Sequence, residues 1–196
     1  LVIRGEGNLW LLVGDINDQA QQDFDAQLNI ELSGGTLIFD MPSDDYTLTL
    51  LDGSVIRLGG GTLEVSDGNV RLEPGVSIEG AETIILNSSL ELSRAQLDTL
   101  GANQVSGQGE LIITVNNDSE ATSTYQFLAD NSALFPAENG PRVSLRSSTG
   151  TFEDTSIDIA DIEASLRQFF TKRTDQLKAE IDAIVGEDGF DSLVEN

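Results

Sequence analysis

The sequence contains no cysteine and no histidine. That double absence excludes disulfide staples, thiolate nucleophiles, Ser-His-Asp triads and zinc sites of the usual ligand set. Positive charge is almost as scarce, with ten Lys and Arg against 34 Asp and Glu and a formal net charge of −24 at pH 7. A surface this negative repels phosphate backbones and anionic headgroups, so no nucleic-acid partner is expected. Apolar runs are short as well: none approaches the roughly 20 residues that span a bilayer, and no direct membrane insertion is expected. The chain opens at Leu1 with no initiator Met or leader and stops just after Leu193 and Val194. It reads as a piece of something longer.

What is present is enough for a packed domain, since 39% of the 196 residues are hydrophobic. The acids are spread through the chain rather than gathered in a tail. Residues 1–140 hold 22 acidic residues and four basic ones (Arg4, Arg57, Arg71, Arg94), and the first lysine is Lys172. A long lysine-free, acidic stretch suits an extracellular or cell-surface setting, where salt and divalent cations screen self-repulsion.

A small-x-Leu-x-apolar unit recurs at Gly7-Asn8-Leu9-Trp10-Leu11, Gly35-Thr36-Leu37-Ile38-Phe39, Gly61-Thr62-Leu63-Glu64-Val65, Ser88-Ser89-Leu90-Glu91-Leu92 and Gly109-Glu110-Leu111-Ile112-Ile113, at spacings of 28, 26, 27 and 21. Shorter alternating segments lie between these units, bounded by turns such as Asp52-Gly53, Asp67-Gly68 and Pro74-Gly75. Short strands with a turn every seven or eight residues, nested in a repeat of about 26, predict a mainly β solenoid with three strands per coil. The alternative is a β-sandwich plus helix, which also gives evenly spaced short strands. Alternation places Leu37, Phe39, Leu48, Leu50, Leu63, Val65, Val76 and Ile78 inward and Thr36, Thr47, Thr49, Thr62, Glu64 and Ser77 outward.

Residues 1–120 are thus read as solenoid repeats, 121–157 as a cap or connecting region, and 158–196 as an amphipathic helix and tail. Gly14 to Gln27 reads as a polar loop thrown out from the first coil, and Ser93 to Asn103 as a helical turn replacing a strand. In the last segment Ile159, Ile162, Leu166, Phe169, Phe170, Leu177, Ile181 and Ile184 step by three or four, which predicts a long helix capped by Asp158 and stopped by Gly186. That stripe is the candidate contact surface, either against its own solenoid or against a partner.

Candidate chemistry is sparse. Asp15, Asn17 and Asp18 offer hard oxygen ligands close together, the ligand class of Ca²⁺, but the loop lacks the glycine and the closing glutamate of an EF-hand. Met41-Pro42-Ser43-Asp44-Asp45 and Asn116-Asn117-Asp118 are weaker versions, equally at home in ordinary turns. No other cofactor is expected. Thr36 and Thr62 fall in register as the start of an outward Thr array, with Asn8, Ser89 and Glu110 in the same slot elsewhere. With so many acids, a carboxylate pair spaced for glycoside hydrolysis carries no information by itself, and no enzymatic activity is expected.

The Gly-Thr-Leu and Asp-Gly-Ser/Asn-Val units, together with Leu92-Ser93-Arg94-Ala95-Gln96-Leu97 and Gly107-Gln108-Gly109-Glu110-Leu111-Ile112-Ile113, resemble the degenerate coils of bacterial surface β-helical adhesins and autotransporter passengers. The resemblance covers roughly residues 5–115 and rests on rhythm more than motif. It implies a right-handed parallel β-helix used as an extracellular stalk, adhesive surface or filament subunit, associating with itself or another surface protein. A carbohydrate-binding or carbohydrate-hydrolysing module is the alternative. The long C-terminal helix departs from a simple passenger.

Overall fold

The structure, a computed structural model, describes residues 2–12, 23–99, 104–136 and 140–185. Its strands wind into a β-solenoid of about four turns with three strand segments to the coil. The first coil comprises β1 (Val2–Gly5), β2 (Leu9–Leu12) and β3 (Asp23–Ala26), and the second β4 (Asn29–Leu32), β5 (Thr36–Asp40) and β6 (Thr47–Leu50). In the third coil β7 (Val55–Val65) covers two faces and β8 (Asn69–Leu72) the third, a pattern repeated by β9 (Ser77–Leu86) and β10 (Ser89–Ser93).

Three parallel ladders result. The first face stacks β1, β4 and the opening residues of β7 and β9. On the second, β2, β5 and the closing residues of β7 and β9 follow one another. The third carries β3, β6, β8 and β10. Parallel pairing between successive coils is the arrangement a sandwich of hairpins does not produce.

The core is a set of side-chain ladders running along the axis. Leu37, Leu63 and Ile84 are register partners on the second face, and none has any exposed surface. Leu48, Val70, Leu90 and Leu111 do the same on the third face, each at most 1% exposed. All eight side chains expected inward are buried to within 3%. Each fully buried Leu, Ile or Val contributes roughly 1.5–3 kcal/mol, and only a neighbouring coil provides that burial. At the corner between first and second faces the backbones touch: Gly35 has φ +84°, and a Cβ there would fall on the Gly7 carbonyl, as one on Gly61 would fall on that of Gly35. Close stacking therefore demands the glycine of the Gly-Thr-Leu unit.

The repeat departs from the sequence expectation in its later coils. Leu9, Leu37, Leu63, Ile84 and Val105 are the true register series, and the steps from Leu63 to Ile84 and from Ile84 to Val105 are shorter than the two before them. The units beginning at Ser88 and Gly109 belong to the third face, where Leu90 pairs with Val70 and Leu111 with Leu90. The unit marks any strand that follows a tight corner, so the interval between Gly61 and Ser88 crosses from face to face. Asp23–Ala26, expected within the loop, is a strand because Phe24 and Ala26 alternate inward despite the flanking acids; Phe24 stacks on Tyr46 with ring centroids 6.1 Å apart.

Beyond the fourth coil the geometry changes. Helix α1 (Arg94–Thr99) replaces the first-face strand, as the spacing of Ala95, Leu97 and Leu100 predicts, and β11 (Gln104–Ser106) and β12 (Glu110–Val115) continue the other two faces. Residues 121–157 hold most of α2 (Asp118–Asp130), a strand β13 (Arg142–Ser147) that stacks in parallel on β12, and β14 (Thr155–Ile157), which pairs antiparallel with β13. A single 3₁₀ turn over Ile159–Asp161 then leads into α3 (Ile162–Val185). Asp158 caps this entry by accepting the Ala160 amide at 2.9 Å, and Asp161 accepts that of Ala164 at 3.0 Å.

Candidate functional site

The two ends of the solenoid are unlike. At the C-terminal end the first and third faces each meet something that ends or covers them, while on the second face β11 is the last described strand. On the first face the buried Gln96 of α1 takes the place of a fifth strand: its amide donates to the carbonyls of Glu73 (2.7 Å) and Val76 (2.9 Å) and its oxygen accepts the Ser93 amide (2.8 Å). On the third face the antiparallel β14 is the last strand, and α3 packs against it. Between them α2 covers the core with Ala121, Thr124, Tyr125 and Leu128, all buried. Its cap is built from Asn117, which accepts the Glu120 amide (3.0 Å), while the Glu120 carboxylate accepts that of Asn116 (2.8 Å). The Asn116-Asn117-Asp118 turn is therefore a helix start.

The N-terminal end has no counterpart among the described residues. There β1, β2 and β3 pair only with β4, β5 and β6. The inward Ile3, Leu9, Leu11, Phe24 and Ala26 remain partly exposed, while Leu37, Phe39, Leu48 and Leu50 one coil further on are at most 1% exposed. On the outer side of β2, Trp10 is 57% and Leu12 76% exposed. A free strand edge with unpaired backbone groups and an apolar rim is what strand addition needs.

The stripe of α3 divides along its length. Ile159, Ile162 and Leu166 pack against the core and Phe169 is buried in it, edge-on to Phe152 at 5.1 Å. Arg173 fastens the helix to α2 through Asp118 at 3.2 Å. Phe170 is exposed beside the buried Phe169; past the Arg173 anchor Leu177 is exposed and Ile181 half-buried, while the side chain of Ile184 lies outside the described residues. The first half thus docks on its own solenoid and the second half leaves it.

A polar network occupies the outer side of the third face. Glu91 is held between Arg71 (3.2 Å) and Arg146 (2.6 Å), and Arg146 also reaches Asp154 at 2.9 Å. Burial works to lower the Arg146 pKa, but Asp154, Glu91 and Glu110 outweigh it and hold the value above that of a free arginine. Alongside, the Ser89 hydroxyl donates to the Asn69 amide oxygen and that of Ser88 to Asp44 at 2.7 Å. Two adjoining hollows, about 230 and 330 Å³, share Asn69 and Ser89. On the first face Glu79 lies below the usual carboxylate range, chiefly through the Ser77 hydroxyl and then Arg57.

Asp15, Asn17 and Asp18 lie outside the described residues, among which no group of three or more metal-ligating side chains converges. Asp44 is engaged with Ser88. The Thr array is one member longer on the second face than the sequence indicates, running Thr36, Thr62, Thr83; Ser89 and Glu110 belong to the third face. Neither Trp10 nor the Glu91 network stands out in the spacing, since exposure at an edge and the meeting of Glu91 with Arg71 and Arg146 follow only from the register. No helix among the described residues is long and apolar enough to cross a membrane. No protein-family model, curated protein or solved structure matches this chain.

Proposed function

We propose that the chain is a structural or adhesive segment of an extracellular, adhesin-like bacterial surface protein, and that it works by association through the open first coil. The observation that carries this reading is the difference between the two ends among the described residues: one is covered by helices and an antiparallel strand, the other presents a partly exposed core, Trp10, Leu12 and strand edges with no described partner. Such an end accepts a further coil. The acid excess and the rarity of lysine support the extracellular setting. The covered end blocks head-to-tail stacking along the axis, so pairing of open ends, or attachment to further solenoid, is favoured over an axial filament.

No catalytic role belongs to this reading. Around the third face Glu91, Glu110 and Asp154 each sit against an arginine, which makes them positioned charges rather than free acid–base groups. A second reading, carbohydrate binding without hydrolysis, is favoured by the paired hollows around Asn69 and Ser89, where amide, hydroxyl, carboxylate and guanidinium groups alternate.

Size-exclusion chromatography with light scattering, with and without millimolar Ca²⁺, tests the assignment. Concentration-dependent dimers or higher species are expected. A strict monomer in both conditions overturns association and leaves the third-face reading in front.

A further inference from the structure

Of the ten basic side chains, all within the described residues, only Lys172 has no hydrogen-bond or ion-pair partner. It lines a pocket of about 350 Å³ between α3 and the segment leading into β14. Phe152 and Phe169 form the inner wall, and Thr155 and Gln176 contribute to the sides. Arg173, one residue on, also lines it. Its Nε is taken by Asp118, and its buried Nη1 has no hydrogen-bond partner but forms an ion pair with Glu180 at 3.9 Å. Glu153 and Asp175 complete the rim.

We infer that this pocket binds a small monocarboxylate carried on a compact apolar body. The aromatic wall packs against the body and the exposed Lys172 ammonium donates to the carboxylate, while the buried Arg173 guanidinium adds positive charge behind it without touching the ligand. The volume of about 350 Å³ lies at the lower end of small-ligand pockets. The rim carboxylates of Glu153 and Asp175 disfavour a dianion by like-charge repulsion. Long-range repulsion from the acidic chain is screened within about 8 Å at physiological salt, so the local cations decide. This site is separate from the open first coil and does not rest on the association reading.

The test is a ligand-observed NMR titration of the full chain with 3-phenylpropanoate, with 3-phenylpropanamide as the uncharged control, beside backbone amide shifts of the protein. For a probe of this size a Kd of about 1 mM is expected, with the amide at least 5-fold weaker. Lys172→Gln, at an exposed position with no partner to lose, is expected to weaken the acid at least 5-fold and leave the amide unchanged. Equal affinity for acid and amide, or an unaltered acid affinity in the variant, overturns the inference. So does a set of backbone shifts that maps away from Phe152, Thr155 and Gln176.

Discussion

Leu9 and Leu37 occupy the same position on consecutive coils, paired in register on the second face, yet Leu37 is completely buried and Leu9 is only half-buried. Their chemistry and orientation are the same. What differs is that, among the described residues, Leu37 has a coil on either side and Leu9 has one.

Replacing Trp10 and Leu12 together by lysine removes the apolar rim of the open edge and places positive charge on it, a device that natural edge strands use against pairing. Both side chains point outward, so the monomer's thermal midpoint is expected to move by no more than a few degrees while self-association disappears. Light scattering beside a melting curve separates the two effects.

Core substitutions should grade with position along the axis. Leu63→Ala empties a site in the third coil that has no exposed surface, at a cost of roughly 2–5 kcal/mol. Leu9→Ala should cost less than half as much, because part of that side chain is already in water. Urea unfolding of the two variants checks the ratio, and equal losses would show that the first coil is as well covered as the third.

Gln96→Leu preserves volume but takes a donor from the Val76 carbonyl and the acceptor from the Ser93 amide, while the Glu73 carbonyl keeps the Val76 amide as its donor. Leaving buried backbone groups unpaired costs about 1–3 kcal/mol. Hydrogen exchange should accelerate at the Ser93 amide and along the start of β9, while β3 and β6 at the other end keep their protection.

Burial pushes the Tyr125 phenol up to about 12, and its hydroxyl has no hydrogen-bond partner. The unfolded chain, with an ordinary value of about 10, therefore ionises first. Stability is intact below pH 10 and falls as pH rises from 10 towards 12, by roughly 1–2 kcal/mol once solvent screening is allowed for. Tyr125→Phe should be neutral or slightly stabilising at pH 7 and should flatten this alkaline loss. Denaturant midpoints at pH 8, 10 and 11.5 provide the comparison.

Much of this fold is legible in the chain because local rules and global packing agree. Two-residue alternation sets which side of each strand is buried, the three-and-four spacing after Asp158 marks α3 and its cap, and Ala95, Leu97 and Leu100 betray the helix that ends the first face. The face to which a strand belongs is harder to read. Later coils are shorter because their corners tighten, and Ser88 and Gly109 open strands of the third face with the same small-x-Leu signal that Gly35 and Gly61 use on the second. The Arg71–Glu91–Arg146 network depends on that register and is hidden with it. So is the docking of only half of α3, since Phe169 and Phe170 carry identical side chains and differ only in the direction they face.

The most direct test is amide hydrogen exchange measured across protein concentration, because it locates the contact as well as detecting it. Association through the open coil predicts that protection rises with concentration over residues 2–12 and 23–26 and stays constant over β14 and α3. Protection that grows instead along the outer side of α3 or the third face, or nowhere, would contradict it.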